Sequence, residues 1–357
     1  MNSSDFYLSF KMYNRLLLSY LFFLSILNIN LSTIAIQKIN KFIVIMVLLQ
    51  IPAAVYKYLK YGVREDGIIG TFSTQAGALS TIVPLFIIGY LIALYYCYKR
   101  NPLYLLLIPC FMFFAWGGGK RAFFIFLPTL LFLGYFIYNT TLLKINILKM
   151  IPTLMGLLIV IGITLYLGGR LNPVFNPEKE RWGSFDLEYM LTQTMAIQDK
   201  QFSSGSSIGR ISSFKSAYER IINGSDLSRK LLGDGPDRLE AGNDQREKYG
   251  ITYGISGATF YLISSGLIGT LSFFSLFLII GVKAYKSING LQDPFYIAIA
   301  FGTILATIVF CFDFLFYSVV FFTGYIPSLL FFYLAAILFK QHKNKESTSP
   351  EGMMNTF

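Results

Sequence analysis

Two basic clusters stand out as residues able to do chemistry in an otherwise apolar chain. Arg210 closes the run Gly205-Ser206-Ser207-Ile208-Gly209-Arg210, at the start of a helical pattern. Free amides behind the cap and the helix dipole favour an anion there, and the guanidinium fork matches phosphate oxygens. The competing reading is a loop arginine paired with a nearby carboxylate. Lys120-Arg121 follow Gly117-Gly118-Gly119. Glycines allow close approach of backbone or ligand, and adjacent bases at a membrane surface suit lipid phosphates; the alternative is that both side chains simply snorkel to headgroups. Asp313 in Phe312-Asp313-Phe314 is an acid inside an apolar run. Such acids are costly and face a cavity or a basic partner, unless the residue sits just beyond the helix end.

Other charged residues fall near the same face. Arg170 follows Gly168-Gly169, Arg64 leads Arg64-Glu65-Asp66-Gly67, and Arg220 and Lys215 occupy the polar face of a loop helix. Asp234, Asp237 and Glu180 are acids that such a site could use. Several chemistries are excluded. The single histidine is His342 near the C-terminus, so no histidine triad or histidine-ligated metal forms at this face. There is no P-loop and no DxD pair. Cys97, Cys110 and Cys311 lie in apolar runs without CxxC spacing and read as small packing residues. A metal-free, cofactor-free, arginine-based site remains.

The elements that must position these residues are membrane helices. Of the 357 residues 54% are hydrophobic and only 14% are charged, against about 25% charged in soluble proteins. Runs close to the ~20 residues needed to cross a bilayer recur, and they are continuous rather than alternating, which excludes a barrel. The fold class is all-α and polytopic. Nine spans are predicted, near 16–36, 42–58, 79–97, 102–117, 122–138, 147–167, 255–281, 295–315 and 318–339. The chain divides into N-terminal helices (1–167), one large polar loop (168–253), C-terminal helices (254–339) and a polar tail (340–357). The net charge of +11 comes mostly from short loops beside apolar runs, which points to anionic lipid and not to nucleic acid.

Alternating spans put Lys99, Arg100, Lys144, Lys149, Lys283, Lys286 and Lys340 on one side, which the positive-inside tendency makes cytoplasmic. The large loop is then extracytoplasmic, with the tail inside. Lys11, Arg15, Lys57, Lys60 and Arg64 fall on the opposite side, against the tendency. Within the loop, 185–199 is loosely amphipathic. Ile208, Ile211, Phe214, Tyr218, Ile221 and Ile222 mark one face of a second helix, which Asn223-Gly224 ends.

Three stretches together resemble the O-antigen polymerase and ligase superfamily of bacterial surface-polysaccharide assembly. They are Gly117-Gly118-Gly119-Lys120-Arg121-Ala122 between adjacent spans, the Gly205-to-Arg210 run with Tyr218 and Gly233-Asp234-Gly235 beyond it, and Gly257 to Gly269 with its Gly266-Leu267-Ile268-Gly269 ending. The resemblance covers about 115–282. It implies metal-independent glycosyl transfer from an undecaprenyl-pyrophosphate-linked oligosaccharide, outside the cytoplasmic membrane. It also implies membrane lipid, a chain-length regulator and a flippase as partners. Carried over by motif, Arg210 and Arg121 hold the pyrophosphate and stabilise its departure with help from Lys120. Read from the residues alone, Arg170, Arg64, Arg220 and Asp234 are further candidates for substrate binding. The superfamily's ligases place a histidine ahead of the span after the loop, where this chain has Ile255-Ser256, so the polymerase fits better. A ligase, a flippase or transporter of lipid-linked oligosaccharide, and a scaffolding membrane protein are the alternatives. A flippase should show repeated halves and charges along a central path, and no repeat is visible.

Overall fold

In a bilayer a long apolar run satisfies its backbone as a helix, and the chain is built accordingly. The computed structural model describes residues 6–61, 68–72, 78–118, 120–170, 186, 188–189, 192, 210–224, 226–235, 255–319 and 324–348. Among them there are helices and turns and no strand. Among the described residues five helical stretches are long and apolar enough to cross a membrane: Thr33–Lys60, Leu79–Lys99, Ala122–Leu142, Gly257–Ile288 and Pro294–Tyr317. The other expected spans coincide with shorter apolar stretches, Leu17–Asn28, Leu103–Gly117, Leu148–Ile159 and Tyr325–Gln341.

In chain order the helices are α1 (Phe6–Asn28), α2 (Thr33–Leu48), α3 (Gln50–Tyr61), α4 (Leu79–Leu94), α5 (Leu103–Leu106), α6 (Ile108–Gly117), α7 (Arg121–Ile137) and α8 (Ile147–Arg170). There follow α9 (Arg210–Tyr218), α10 (Leu227–Leu232), α11 (Gly257–Ile288), α12 (Pro294–Phe312) and α13 (Tyr325–Thr348). π-Helical turns extend α4, α7, α9 and α12 over Tyr95–Lys99, Tyr138–Leu142, Glu219–Asn223 and Asp313–Tyr317.

α4 is the axis of the bundle. Every residue from Leu79 to Leu94 is buried, and it runs antiparallel to the largely buried α12. Gly89 meets Leu305 and Tyr90 meets Gly302 along this pair. α11 flanks α12 through aromatic packing: Phe277 stacks on Phe310 at 3.9 Å and 9°, and touches Phe331 of α13 at 4.7 Å. α1 closes the other side of α13, with Phe23 against Phe332 and Phe339.

Side-chain contacts define two ends. At one, the Lys340 ammonium donates to the Ile29 carbonyl, Thr33 meets Tyr296, Tyr98 packs on Phe295 and Lys283 lies over the Phe339 ring. Lys99, Arg100, Lys286 and Lys340 gather here. At the other end, Gln50 accepts from Thr71, Tyr58 packs on Trp116, Thr81 bonds Tyr317 and Gly257 rests on Phe314. The large loop leaves from and returns to this second end, hereafter the loop-facing end.

The structure corrects three boundaries. The first expected span, 16–36, is interrupted: α1 ends at Asn28 and Ser32 caps α2, accepting from the Ala35 amide at 3.2 Å. Asn28, Asn30 and Ser32 break an apolar pattern that otherwise looks continuous. Lys11 and Arg15 consequently lie inside α1 instead of ahead of it. The last expected span, 318–339, starts late, because Ser318 is extended and α13 begins only at Tyr325.

The third correction concerns α11. Gly266 has φ 63° and ψ −161°, so the helix is broken there. The rings of Tyr261 and Phe273 stack at 4.2 Å, whereas twelve residues of straight helix would part them by ~18 Å. Residues 257–265 therefore fold back on 267–288 as a short buried limb. The remaining limb of 22 residues spans about 33 Å, enough for a hydrocarbon core of ~30 Å.

Candidate functional site

Three structures converge at the loop-facing end. The first is the hairpin between α6 and α7. The Gly118 amide donates to the Phe114 carbonyl at 3.1 Å and the Lys120 amide to the Ala115 carbonyl at 2.8 Å, so the turn is tight, as its glycines predict. A Cβ on Gly118 would lie 3.1 Å from the Ser80 hydroxyl and 3.4 Å from Cγ of Lys120. The hairpin thus sits directly on the fully buried start of α4, with half-buried Lys120 beside that contact.

Below it is a polar layer in an aromatic surround. Ser80 and Thr81 are wholly buried, and the Thr81 hydroxyl pairs with the Tyr317 hydroxyl at 2.9 Å. Tyr317 closes the π-helical turn that begins at Asp313. The Asp313 side chain is 1% exposed, its carboxylate accepts from the Ser318 hydroxyl, and its carbonyl accepts from the Ser318 amide at 2.9 Å. Phe126 of α7 stacks on Phe312 at 4.8 Å and meets Tyr317 edge-on, which fixes the start of α7 next to this turn. π-Helical turns are rare and concentrate at functional sites, and buried intramembrane acids do so too.

The third structure is the docked part of the loop. Breaking α11 at Gly266 removes helical partners from the carbonyls of Ile263 and Ser264. The Asp234 amide donates to Ile263 at 2.7 Å and the Gly235 amide to Ser264 at 3.2 Å. The approach is so close that a Cβ on Gly233 would lie 2.6 Å from the Gly266 amide nitrogen, and one on Gly266 would lie 2.5 Å from the Leu231 carbonyl. Gly233 itself has φ 73°. Two of the three sequence motifs, Gly233-Asp234-Gly235 and Gly266-Leu267-Ile268-Gly269, are therefore the two halves of one clasp.

The folded-back limb carries this clasp down to the polar layer. Its cap is Ser256, buried, which accepts from the Thr259 amide at 3.3 Å and shares a hydroxyl contact with Thr259 at 3.1 Å. Its first residue, Gly257, packs against Phe314, where a Cβ would lie 2.8 Å from the ring. Its Tyr261 ring lies 5.8 Å from that of Phe314. Ser256, next to Ile255, is thus a buried helix cap.

The expected site residues distribute unevenly. Lys120 is at the hairpin, half-buried. Arg121 and Arg210 are the first helical residues of α7 and α9, and their side chains lie outside the described residues, as does all of Arg64. Arg170 is the last residue of α8 and half-buried, placed where that helix meets the loop. Arg220 is exposed in the π-helical turn after α9, in keeping with a solvated face. Asp234 is half-buried in the clasp, and its carboxylate lies 3.6 Å from Nε of the largely exposed Arg229. Glu180, Asp237 and the helical pattern over 185–199 fall outside the described residues, apart from isolated positions.

The buried face of α9 and its π-helical turn agrees with the expected one at Ile221 and differs before it. Ser213 and Ala217 are buried, while Phe214 and Tyr218 are 43% and 45% exposed, with rings 6.5 Å apart. Small residues allow α9 to approach α11 closely, a preference that a count of large apolar side chains misses. Ser80 and Thr81 carry no such signal in the sequence, where small polar side chains blend into an apolar run. No group of three or more histidine, cysteine, aspartate or glutamate side chains able to hold a metal occurs among the described residues. Comparison with known protein families, curated proteins and solved structures finds no match.

Proposed function

We propose that this protein polymerises repeat units of a bacterial surface polysaccharide, as an integral protein of the cytoplasmic membrane with its large loop outside. In this reading nine membrane crossings alternate, the end holding Lys99, Arg100, Lys283, Lys286 and Lys340 is cytoplasmic, and the site opens outward. The donor is a glycan on undecaprenyl pyrophosphate, and the acceptor is the sugar end of another lipid-linked unit. Arg121 and Arg210 bear the charge that develops on the departing pyrophosphate, with Lys120 beside them. One well-placed donor of this kind is worth ~3–4 kcal/mol of transition-state stabilisation.

The observation that supports this reading best is convergence. The Lys120 hairpin on Ser80 and the limb that carries the Gly233 clasp are far apart in sequence, yet both border the turn from Asp313 to Tyr317, the first through Thr81 and the second through Phe314. A pyrophosphate lying at a membrane surface needs bases from both the bundle and the loop, the parts this reading gives to Arg121 and Arg210. A chain-length regulator and a flippase would be its working partners.

Deleting the gene and examining surface glycan tests the reading. Loss of long chains with single repeats still attached to the surface supports a polymerase. Accumulation of lipid-linked repeats on the inner leaflet indicates a flippase instead. Unchanged long chains in both Arg210→Ala and Arg121→Ala would refute the assigned roles.

A further inference from the structure

The polymerase reading lacks a group to take the proton from the acceptor hydroxyl. We infer that Asp313 is that proton acceptor, reached through the hydroxyl of Ser318; the inference rests on the polymerase reading and completes it. Asp313 is 1% exposed and cannot meet a sugar directly. Ser318 is half-buried, extended, and already donates its hydroxyl proton to the Asp313 carboxylate. That orientation leaves a lone pair of Oγ to receive a proton from the opposite side. The Ser318 amide on the Asp313 carbonyl holds the two residues in register.

The surroundings suit a sugar. The buried hydroxyl pair of Thr81 and Tyr317 braces the turn from beneath, and Phe126, Phe312 and Phe314 give the layer ring faces of the kind on which sugars pack. The hairpin bearing Lys120 covers Ser80, the residue next to Thr81. An acceptor hydroxyl at Ser318 therefore lies on the side of the bundle that the Lys120 hairpin covers.

The step balances without a further reactant. The acceptor hydroxyl oxygen forms a bond to the anomeric carbon of the donor glycan as its proton passes to Ser318 Oγ. The proton of Ser318 passes to the Asp313 carboxylate. The bond from anomeric carbon to phosphate oxygen breaks, and its electron pair leaves with undecaprenyl pyrophosphate. Asp313 returns the proton to water or to the departing pyrophosphate before the next turnover.

Purified protein in nanodiscs, supplied with undecaprenyl-pyrophosphate-linked repeat units, provides the test. General-base contributions are typically ~10²–10⁴-fold, so Asp313→Asn should lower kcat by at least ~100-fold while donor binding is retained, and should abolish the acid limb of the pH profile of kcat. Asp313→Glu should recover part of the rate. Ser318→Ala should lower kcat, and Ser318→Thr, which keeps the hydroxyl, should restore most of the loss; this pair decides the matter if Asp313→Asn fails to fold. Wild-type kcat with an intact acid limb in Asp313→Asn overturns the inference, as does an equal effect of alanine and threonine at 318. Transfer by the wild type is the separate check on the polymerase reading: its absence sinks that reading, whereas an active wild type with an active Asp313→Asn sinks only the assignment of the base.

Discussion

Replacing Gly266 by alanine should open the clasp between loop and bundle, and the size of the effect follows from its geometry. With φ 63° and ψ −161°, Gly266 occupies a region essentially confined to glycine, and strain there costs another residue about 1–3 kcal/mol. The new Cβ would also lie 2.5 Å from the Leu231 carbonyl, which is backbone and cannot rotate away. The chain from Leu231 must shift, taking with it the bonds from Asp234 to Ile263 and from Gly235 to Ser264. At ~0.5–1.5 kcal/mol net for each, these add about 1–3 kcal/mol. The total of roughly 2–6 kcal/mol corresponds to about 1.5–4 decades in the opening equilibrium. Amide hydrogen exchange in nanodiscs reads this directly: exchange at Asp234 and Gly235 should accelerate at least ~30-fold. Gly156→Ala is the control, because a Cβ there meets nothing within 4 Å. Gly233→Ala should produce the same opening, and the double variant should cost less than the sum, since both break one contact. Protection in Gly266→Ala equal to that in Gly156→Ala would refute the clasp.

Phe277→Ala removes a fully buried ring stacked on Phe310, and should lower unfolding stability in mixed micelles by ~3–5 kcal/mol. Thr81→Val or Tyr317→Phe removes the hydrogen bond between the two buried hydroxyls, at ~0.5–1.5 kcal/mol each, and the double variant should fall short of the sum by ~0.6 kcal/mol, the mean coupling of such pairs in membranes. Lys57→Met deletes the ammonium that holds the Gly70 carbonyl and should raise exchange across 68–72 without altering the core. Cysteine at Leu227, 71% exposed, should react with an impermeant thiol reagent from outside the cell, and cysteine at Lys286 only after permeabilisation; the reverse pattern would overturn the proposed orientation.

What the sequence disclosed depends on which physical signal each element uses. Apolar length is a strong signal, so the helices that cross the bundle were legible, including the tight turn at Gly117-Gly118. Loop-facing chemistry was legible only in part. Asp313 was conspicuous because an acid in an apolar run is costly, but nothing in the order of residues said that Ser318 would meet it, or that Thr81 and Tyr317 would pair across 236 positions. The α9 face was misread because burial there follows small size, at Ser213 and Ala217, instead of hydrophobicity. The break in α11 was hidden for a related reason: hydropathy runs unbroken through Gly266, and only a backbone angle reveals the fold.

That hidden break changes what the large loop is. A helix interrupted beside a membrane leaves carbonyls that water or protein must satisfy, and here residues from within the loop supply the amides. The clasp is thus a mutual requirement. Without Asp234 and Gly235, the carbonyls of Ile263 and Ser264 would be left without these donors; without the break at Gly266, Gly233 would have no surface to approach. The segment 226–235 is then energetically part of the bundle, although it lies within the interval that sequence alone reads as a separate polar region. The folded-back limb ties this attachment to Phe314, next in sequence to Asp313, through Gly257 and Tyr261. A perturbation of the clasp therefore reaches the buried carboxylate through two packed aromatic contacts and no free linker. Gly266→Ala should accordingly slow transfer as well as open the loop, with the two effects growing together across a series of clasp variants; a variant that opens the clasp fully yet transfers at the wild-type rate would show that the limb does not carry the connection.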